Sequence, residues 1–177
     1  MKAFSAEDLD FYYYDRYSEE HHQFIESLLK DEAIKTYFPN LVKTFADSTT
    51  QLLVSNAAGN LVGWQKKYDG DYSNDRSCEL MYIVGENFRV PQPLTIRRDL
   101  SQETVGAKII RTAANYFLIN SALEFVELYI EVNNTRSIRA ALHAGFAPVN
   151  NHPSWYLKTE PTKYIPDIEP VLRGMGK

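Results

Sequence analysis

Among 177 residues the chain has a single cysteine, Cys78. One thiol excludes an internal disulfide framework and any CxxC metal site, and it suits a reducing cytoplasm. No apolar run approaches the roughly 18–20 residues that cross a bilayer. The start of the chain turns acidic at Glu7 and Asp8 before a signal-type apolar core can form. Positive charge is not in excess either. Nineteen basic against 23 acidic residues give a net charge of −4, so there is no global attraction for nucleic acid or anionic lipid. No repeat recurs at 20–50 residues. The four histidines form no HExxH spacing, no metal is expected, and a Gly-x-Ser-x-Gly nucleophile elbow is absent. His21 falls on an apolar stripe, so it reads as a core-edge residue.

What is present reads as one globular domain. Hydrophobic residues make up 44% and charged residues 24%, ordinary values for a packed domain. Surface scaling for this mass lets about 70% of the extended chain's surface be buried, enough for a core without staples. Residues 1–160 form that domain, and 161–177, with Pro161, Pro166 and Pro170, form an extended tail that could cross to a second copy in a homodimer.

The aromatic run Phe11-Tyr12-Tyr13-Tyr14 favours a strand. Ser18 before Glu19 and Glu20 reads as a helix cap with acids in the first turn, and His21, Phe24, Ile25, Leu28 and Leu29 continue at helical spacing. A short helix is expected over 41–46. Strands at 52–54 and 61–64 flank the turn-like Asn56-Ala57-Ala58-Gly59-Asn60. A polar turn follows at 68–76, then a strand at 78–84. Pro91 and Pro93 keep 85–100 from being a central strand or an unbroken helix. The clearest helical pattern runs over 105–118, where Val105, Ile109, Ala113 and Phe117 line one side. A strand at 125–132, a short helix at 135–144 and strands at 146–149 and 154–158 complete the order. Strands in hairpins with helices between the groups predict an α+β fold on a mixed sheet.

The segment from Ile130 to Phe146 carries the most information. Asn134 suits a helix N-cap, Ile138, Ala141 and Leu142 suit a core face, and Gly145 with Phe146 suits a left-handed closure. On those residues alone it is a short, well-capped helix between two strands. The pattern Asn134-x-x-Ser137-Ile138-Arg139, ending in Gly145-Phe146 directly after a strand, resembles the fourth-helix signature of the GNAT superfamily of N-acetyltransferases. It is most similar to the RimJ/RimL-like, ribosomal-protein N-acetyltransferase branch. Residues 28–37 resemble that branch's first helices and Cys78-Glu79-Leu80-Met81-Tyr82-Ile83-Val84 its fourth strand, so the resemblance spans nearly all of 10–158.

The resemblance implies a mostly antiparallel sheet flanked by helices, with two central strands splayed apart to admit acetyl-CoA as co-substrate. It implies cofactor contacts from Met81, Tyr82, Ile83 and Val84 on the first strand and from Asn134 opposite. It also implies a pyrophosphate at the backbone of Thr104, Val105, Gly106 and Ala107, where free N–H groups and the helix dipole favour an anion. The family's first loop glycine is Thr104 here and its basic or amide residue is Ser101, so Arg97, Arg98 or Lys108 would supply the missing charge. Glu79 falls at the family's general-base position. Such a base matters because a lysine amine near pKa 10.4 is neutral in only about one molecule in 2,500 at pH 7, and an α-amine near 7.7 in about one in six. The family's thiolate-protonating tyrosine corresponds to Ala141, which leaves Ser137 or solvent as the proton source. The expected activity is direct acetyl transfer to a primary amine of a small molecule or protein, without nucleic acid or membrane. The alternatives are a GNAT-shaped binding module without catalysis and an unrelated adaptor whose central strands do not part.

Overall fold

The computed structural model describes residues 1–38, 50–69, 77–89, 103–121, 123–131, 133–148 and 154–158. Among these residues, eight strands form one sheet in the order β1-β2-β3-β4-β5-β6-β8-β7. They are β1 (Lys2–Ala6), β2 (Leu9–Tyr13), β3 (Thr50–Asn56), β4 (Leu61–Asp69), β5 (Ser77–Val84), β6 (Phe125–Tyr129), β7 (Ala147–Pro148) and β8 (Ser154–Lys158). All neighbours are antiparallel except β5 and β6, which run parallel. Parallel strands need a crossover. The helix α3 (Val105–Asn120) supplies it, as the spacing of its apolar residues predicts.

Helices cover both faces. On one, α1 (Glu19–Lys30) and α2 (Glu32–Tyr37) bury Ile25, Leu28 and Ile34 against Leu53, Trp64 and Ile83. On the other, α3 and α4 (Thr135–His143) bury Ile109, Ile110, Ala113, Ile138 and Leu142 against Leu80, Val126 and Leu128. Fully burying each large aliphatic side chain contributes about 1.5–3 kcal/mol, so these two layers fix the sheet between them. Local signals hold at the helix ends. The Ser18 side chain accepts from the His21 N–H, and Asn134 accepts from the Ser137 N–H. Gly145 at φ 87° closes α4, with the Gly145 N–H donating to Leu142 O and the Phe146 N–H to Ala141 O.

Two expectations need correcting. The chain begins with a strand that the aromatic run did not announce: β1 pairs with β2 through a turn at Glu7 and Asp8, both left-handed at φ 53° and 64°. A two-residue turn with positive φ at both centres is the type I′ geometry, and Glu-Asp is not the Asn-Gly or Asp-Gly signal for it. Helix α2 lies within residues 28–37, where the family resemblance implies a helix. The β6 ladder also ends at Tyr129 rather than 132. The helix expected over 41–46, Arg97, Arg98, Ser101, and the tail at 161–177 lie outside the described residues. No helix among the described residues is long and apolar enough to cross a membrane.

Candidate active site

The site begins where a ladder stops. Strands β5 and β6 pair at Ser77 with Phe125, Cys78 with Val126 and Glu79 with Glu127, and nowhere beyond, although β5 continues to Val84. The Gly85 N–H bonds Val62 O, so Gly63 and Val84 form a wide, non-hydrogen-bonded pair with β4. By alternation, Leu80, Tyr82 and Val84 turn their backbone N–H and C=O groups away from β4 toward the gap, whereas Met81 and Ile83 spend theirs on β4. Buried backbone groups must find partners. A free edge inside a sheet is therefore a place for an extended ligand to pair as a strand would.

Two clefts open onto this gap and carry opposite charge. The first, of about 800 Å³, runs along Tyr82, Ile83 and Val84 past Thr104 and Gly106, and its charged lining residues are Arg89, Arg136 and Arg139. The buried Arg136 Nε has no hydrogen-bond partner among the described residues. The second, of about 710 Å³, holds Met81, and its charged lining residues are Glu79 and Glu131. Five residues line both: Tyr37, Phe38, Tyr82, Asn134 and Ser137.

The electrostatics follow from placement. Glu79 is half-buried on the α1/α2 face, directly beside Glu127 in the last rung. Burial, then the Glu127 charge, pushes its carboxyl above the usual carboxylate range. Tyr82 reaches across on the opposite face, where the Ser137 side chain stands beside its hydroxyl. Burial pushes that phenol up to about 12, with the Ser137 side chain pulling the other way. His143, also on α4, is held below the ordinary histidine value by burial and by Arg139.

The loop before α3 is more engaged than the resemblance implies. Thr104 caps the helix, its Oγ1 accepting from the Ala107 N–H at 3.1 Å, and Ala107 is fully buried in the core. Of the first-turn amides, those of Val105 and Gly106 are the ones not spent on the cap, and Val105 lines neither cleft. A Cβ on Gly106 would come within 3.1 Å of Tyr82 Cε2 and 3.3 Å of Val84 Cγ2, so this glycine lets α3 approach β5. Lys108 does not supply cleft charge. It is paired with Asp8 at 2.9 Å, while Arg111 is held by Glu7 and Glu103. Ala141, at the position of the family's tyrosine, is fully buried in the core.

Sequence reading missed Arg89, Arg136, Arg139, Tyr37 and Glu127. Arg136 and Arg139 stand three apart on α4, a spacing that shares a helix face, and that signal was available. Glu127 meets Glu79 only through strand pairing, which no local pattern encodes.

The architecture is the mixed α+β fold of GNAT acetyltransferases. No protein-family model matches the chain, and no curated protein matches it at significant similarity. Solved structures do match. The Vibrio cholerae spermidine N-acetyltransferase in complex with CoA and spermine has a TM-score of 0.61 at 17% identity, covering 87% of this chain and 97% of that one. The aminoglycoside acetyltransferase AAC(6')-Ib with paromomycin and acetyl-CoA has a TM-score of 0.62 at 14% identity, covering 89% and 99%. The Campylobacter jejuni N-acetyltransferase PseH with acetyl-CoA has a TM-score of 0.57 at 15% identity, covering 85% and 98%. At such identities the likeness establishes the fold.

Proposed function

We propose that this chain transfers an acetyl group from acetyl-CoA to a primary amine. One observation carries the reading: the β5–β6 ladder is interrupted, and a cleft lined by three arginines meets a cleft lined by two glutamates at that interruption. Residues present suit the co-substrate. The outward N–H and C=O of Tyr82 and the outward Val84 N–H suit an amide-bearing arm, and Arg136 and Arg139, with the Gly106 N–H and the α3 dipole, suit phosphate groups. Asn134 stands at the junction and caps α4 at once. The resemblance to the RimJ/RimL-like branch points to a protein N-terminal amine as acceptor, and the fold neighbours point to small amines.

Each residue then has a defined task. Glu79 takes a proton from the attacking amine, directly or through water, and its raised proton affinity brings a carboxylate nearer the working pH. Outward N–H groups of β5 polarise the thioester oxygen without reorganising during the reaction. The Tyr82–Ser137 hydroxyl pair faces the departing sulfur. Tyr82, with its phenol near 12, stays protonated as a hydrogen-bond donor, and Ser137 passes on the solvent proton. Aligning two substrates across one gap replaces a bimolecular encounter with a near-unimolecular step.

Calorimetric titration with acetyl-CoA, followed by thiol release over a panel of spermidine, kanamycin, lysine and a peptide with a free N-terminus, tests this. Micromolar binding with thiol release on one amine is expected. Binding without release across the panel favours a non-catalytic module, and absence of binding overturns the transfer reading and leaves a binding module that does not use CoA.

A further inference from the structure

A largely buried ion pair, Asp31–Arg89, joins α2 to the end of β5 at the rim of the first cleft. Asp31 stands between α1 and α2, and its carboxylate serves both directions. Oδ1 accepts from the Ala33 and Ile34 N–H groups at 2.9 and 3.3 Å and so caps α2. Oδ2 faces Arg89 Nη2 at 2.6 Å, with the two side chains only 11% and 16% exposed. That contact is Coulombic rather than well aligned, since Nη2 has no partner of hydrogen-bond geometry. Arg89 is tied elsewhere too: its Nε donates to Val84 O at 2.7 Å, taking the last outward carbonyl on the free edge of β5. One guanidinium thus joins the open strand edge to the start of α2. Helix α2 carries Ile34 into the core and Tyr37 and Phe38 into both clefts.

We propose that the Asp31–Arg89 pair is a positioning device that holds α2 against the end of β5 and thereby sets Tyr37 and Phe38, the wall that the two clefts share; its acceptor role rests on the acetyl-transfer reading above. The physical case is one of leverage. Six residues make a helix too short to hold itself. Its position depends on Ile34 and on this clamp, and a charge pair in a nearly dry site fixes a geometry that a single aliphatic contact does not. Burial would raise the Asp31 carboxyl, but the guanidinium beside it and the two cap N–H groups outweigh that and hold it below the usual range.

Asp31→Asn isolates the ion pair, because asparagine caps a helix as well as aspartate does. In Asp31→Asn and in Arg89→Met, amide hydrogen exchange over residues 33–38 is expected to accelerate at least tenfold, with α1 and α3 within twofold of wild type. Arg89→Lys, which keeps a cation for Asp31, is expected to stay within threefold. In Asp31→Asn the CoA dissociation constant, read by calorimetry, is expected to rise severalfold, because Ala33 and Ile34 of α2 line the first cleft. On the panel amine that turns over, KM is expected to rise about tenfold and kcat to stay within twofold. Unchanged exchange in α2, equal acceleration in α1 and α3, or an unmoved KM in Asp31→Asn would each overturn the clamp. A wild-type chain that binds no CoA and acetylates no panel amine would overturn the transfer reading and the acceptor role together, while exchange still decides whether the pair holds α2.

Discussion

Gly106→Ala puts the packing of the site under direct test. The new methyl would sit 3.1 Å from Tyr82 Cε2, 3.3 Å from Val84 Cγ2 and 3.6 Å from Ala140 Cβ. Carbon atoms in contact settle at about 3.5–4.0 Å, so the Tyr82 ring must retreat by roughly 0.5 Å. Overpacking of this kind costs about 1–3 kcal/mol. Replacing glycine by alanine in a helix returns at most about 1 kcal/mol. The net is a destabilisation of about 0–3 kcal/mol, or a fall in Tm of at most about 12 °C at 2–4 °C per kcal/mol for a chain of this size. Binding suffers more than folding. The shift moves Tyr82 off Ser137 and the Gly106 N–H off the cleft, and we expect acetyl-CoA affinity to drop at least tenfold, about 1.4 kcal/mol. Gly63→Ala is the control. Its methyl would meet Ile109 Cδ1 at 2.6 Å and the Ile83 carbonyl oxygen at 2.9 Å, and that carbonyl is fixed in the sheet. It should cost about 3 kcal/mol, the top of the same range, and leave the folded fraction's affinity intact, because Gly63 lines neither cleft. Thermal unfolding and calorimetry read both quantities. A Gly106→Ala protein more stable than wild type with undiminished affinity would refute the close approach of α3 to Tyr82.

Other consequences can be measured independently. Glu79→Gln should lower kcat/KM by about 10²–10⁴-fold with CoA affinity unchanged. Since the raised Glu79 carboxyl is protonated as pH falls, activity is lost on the acid side, and Glu127→Gln should move that limb to lower pH in a pH–rate profile. Removing both Arg136 and Arg139 as glutamines should weaken CoA binding at least tenfold and flatten its dependence on salt, read by titration at two ionic strengths. Asn134→Ala should cost about 0.5–2 kcal/mol by loss of the cap, whereas Asn134→Ser should restore stability, so that any affinity still missing in the serine variant belongs to ligand contact. Asp31 is depressed in the folded state, so its stabilisation is complete above the ordinary carboxylate range and lost as pH falls through the lowered value. Asp31→Asn should therefore flatten the acid side of a urea-unfolding profile.

Much of this protein was decided locally. The apolar period of α3, the Ser18 and Asn134 caps and the Gly145-Phe146 closure depend on residues within a turn of one another, and the same short-range chemistry that makes them visible makes them form. The order of elements followed from them, and with it the α+β class. What could not be read there depends on partners far apart in the chain. Glu127 becomes the neighbour of Glu79 only when α3 has carried the chain across and laid β6 parallel to β5. Lys108, a free cation by sequence, is claimed by Asp8 a hundred residues earlier, through a hairpin whose turn residues gave no signal. Thr104 is the helix cap, which spends one loop amide expected to face a phosphate. Three arginines converge on one cleft from β5's end and α4, and two glutamates on the other, because strand twist and helix packing choose which side chains share a cavity. Short-range rules set the pieces and their order. The point where the ladder breaks, and the charges gathered on either side of it, arise only from long-range packing, in which each contact depends on all the others being made.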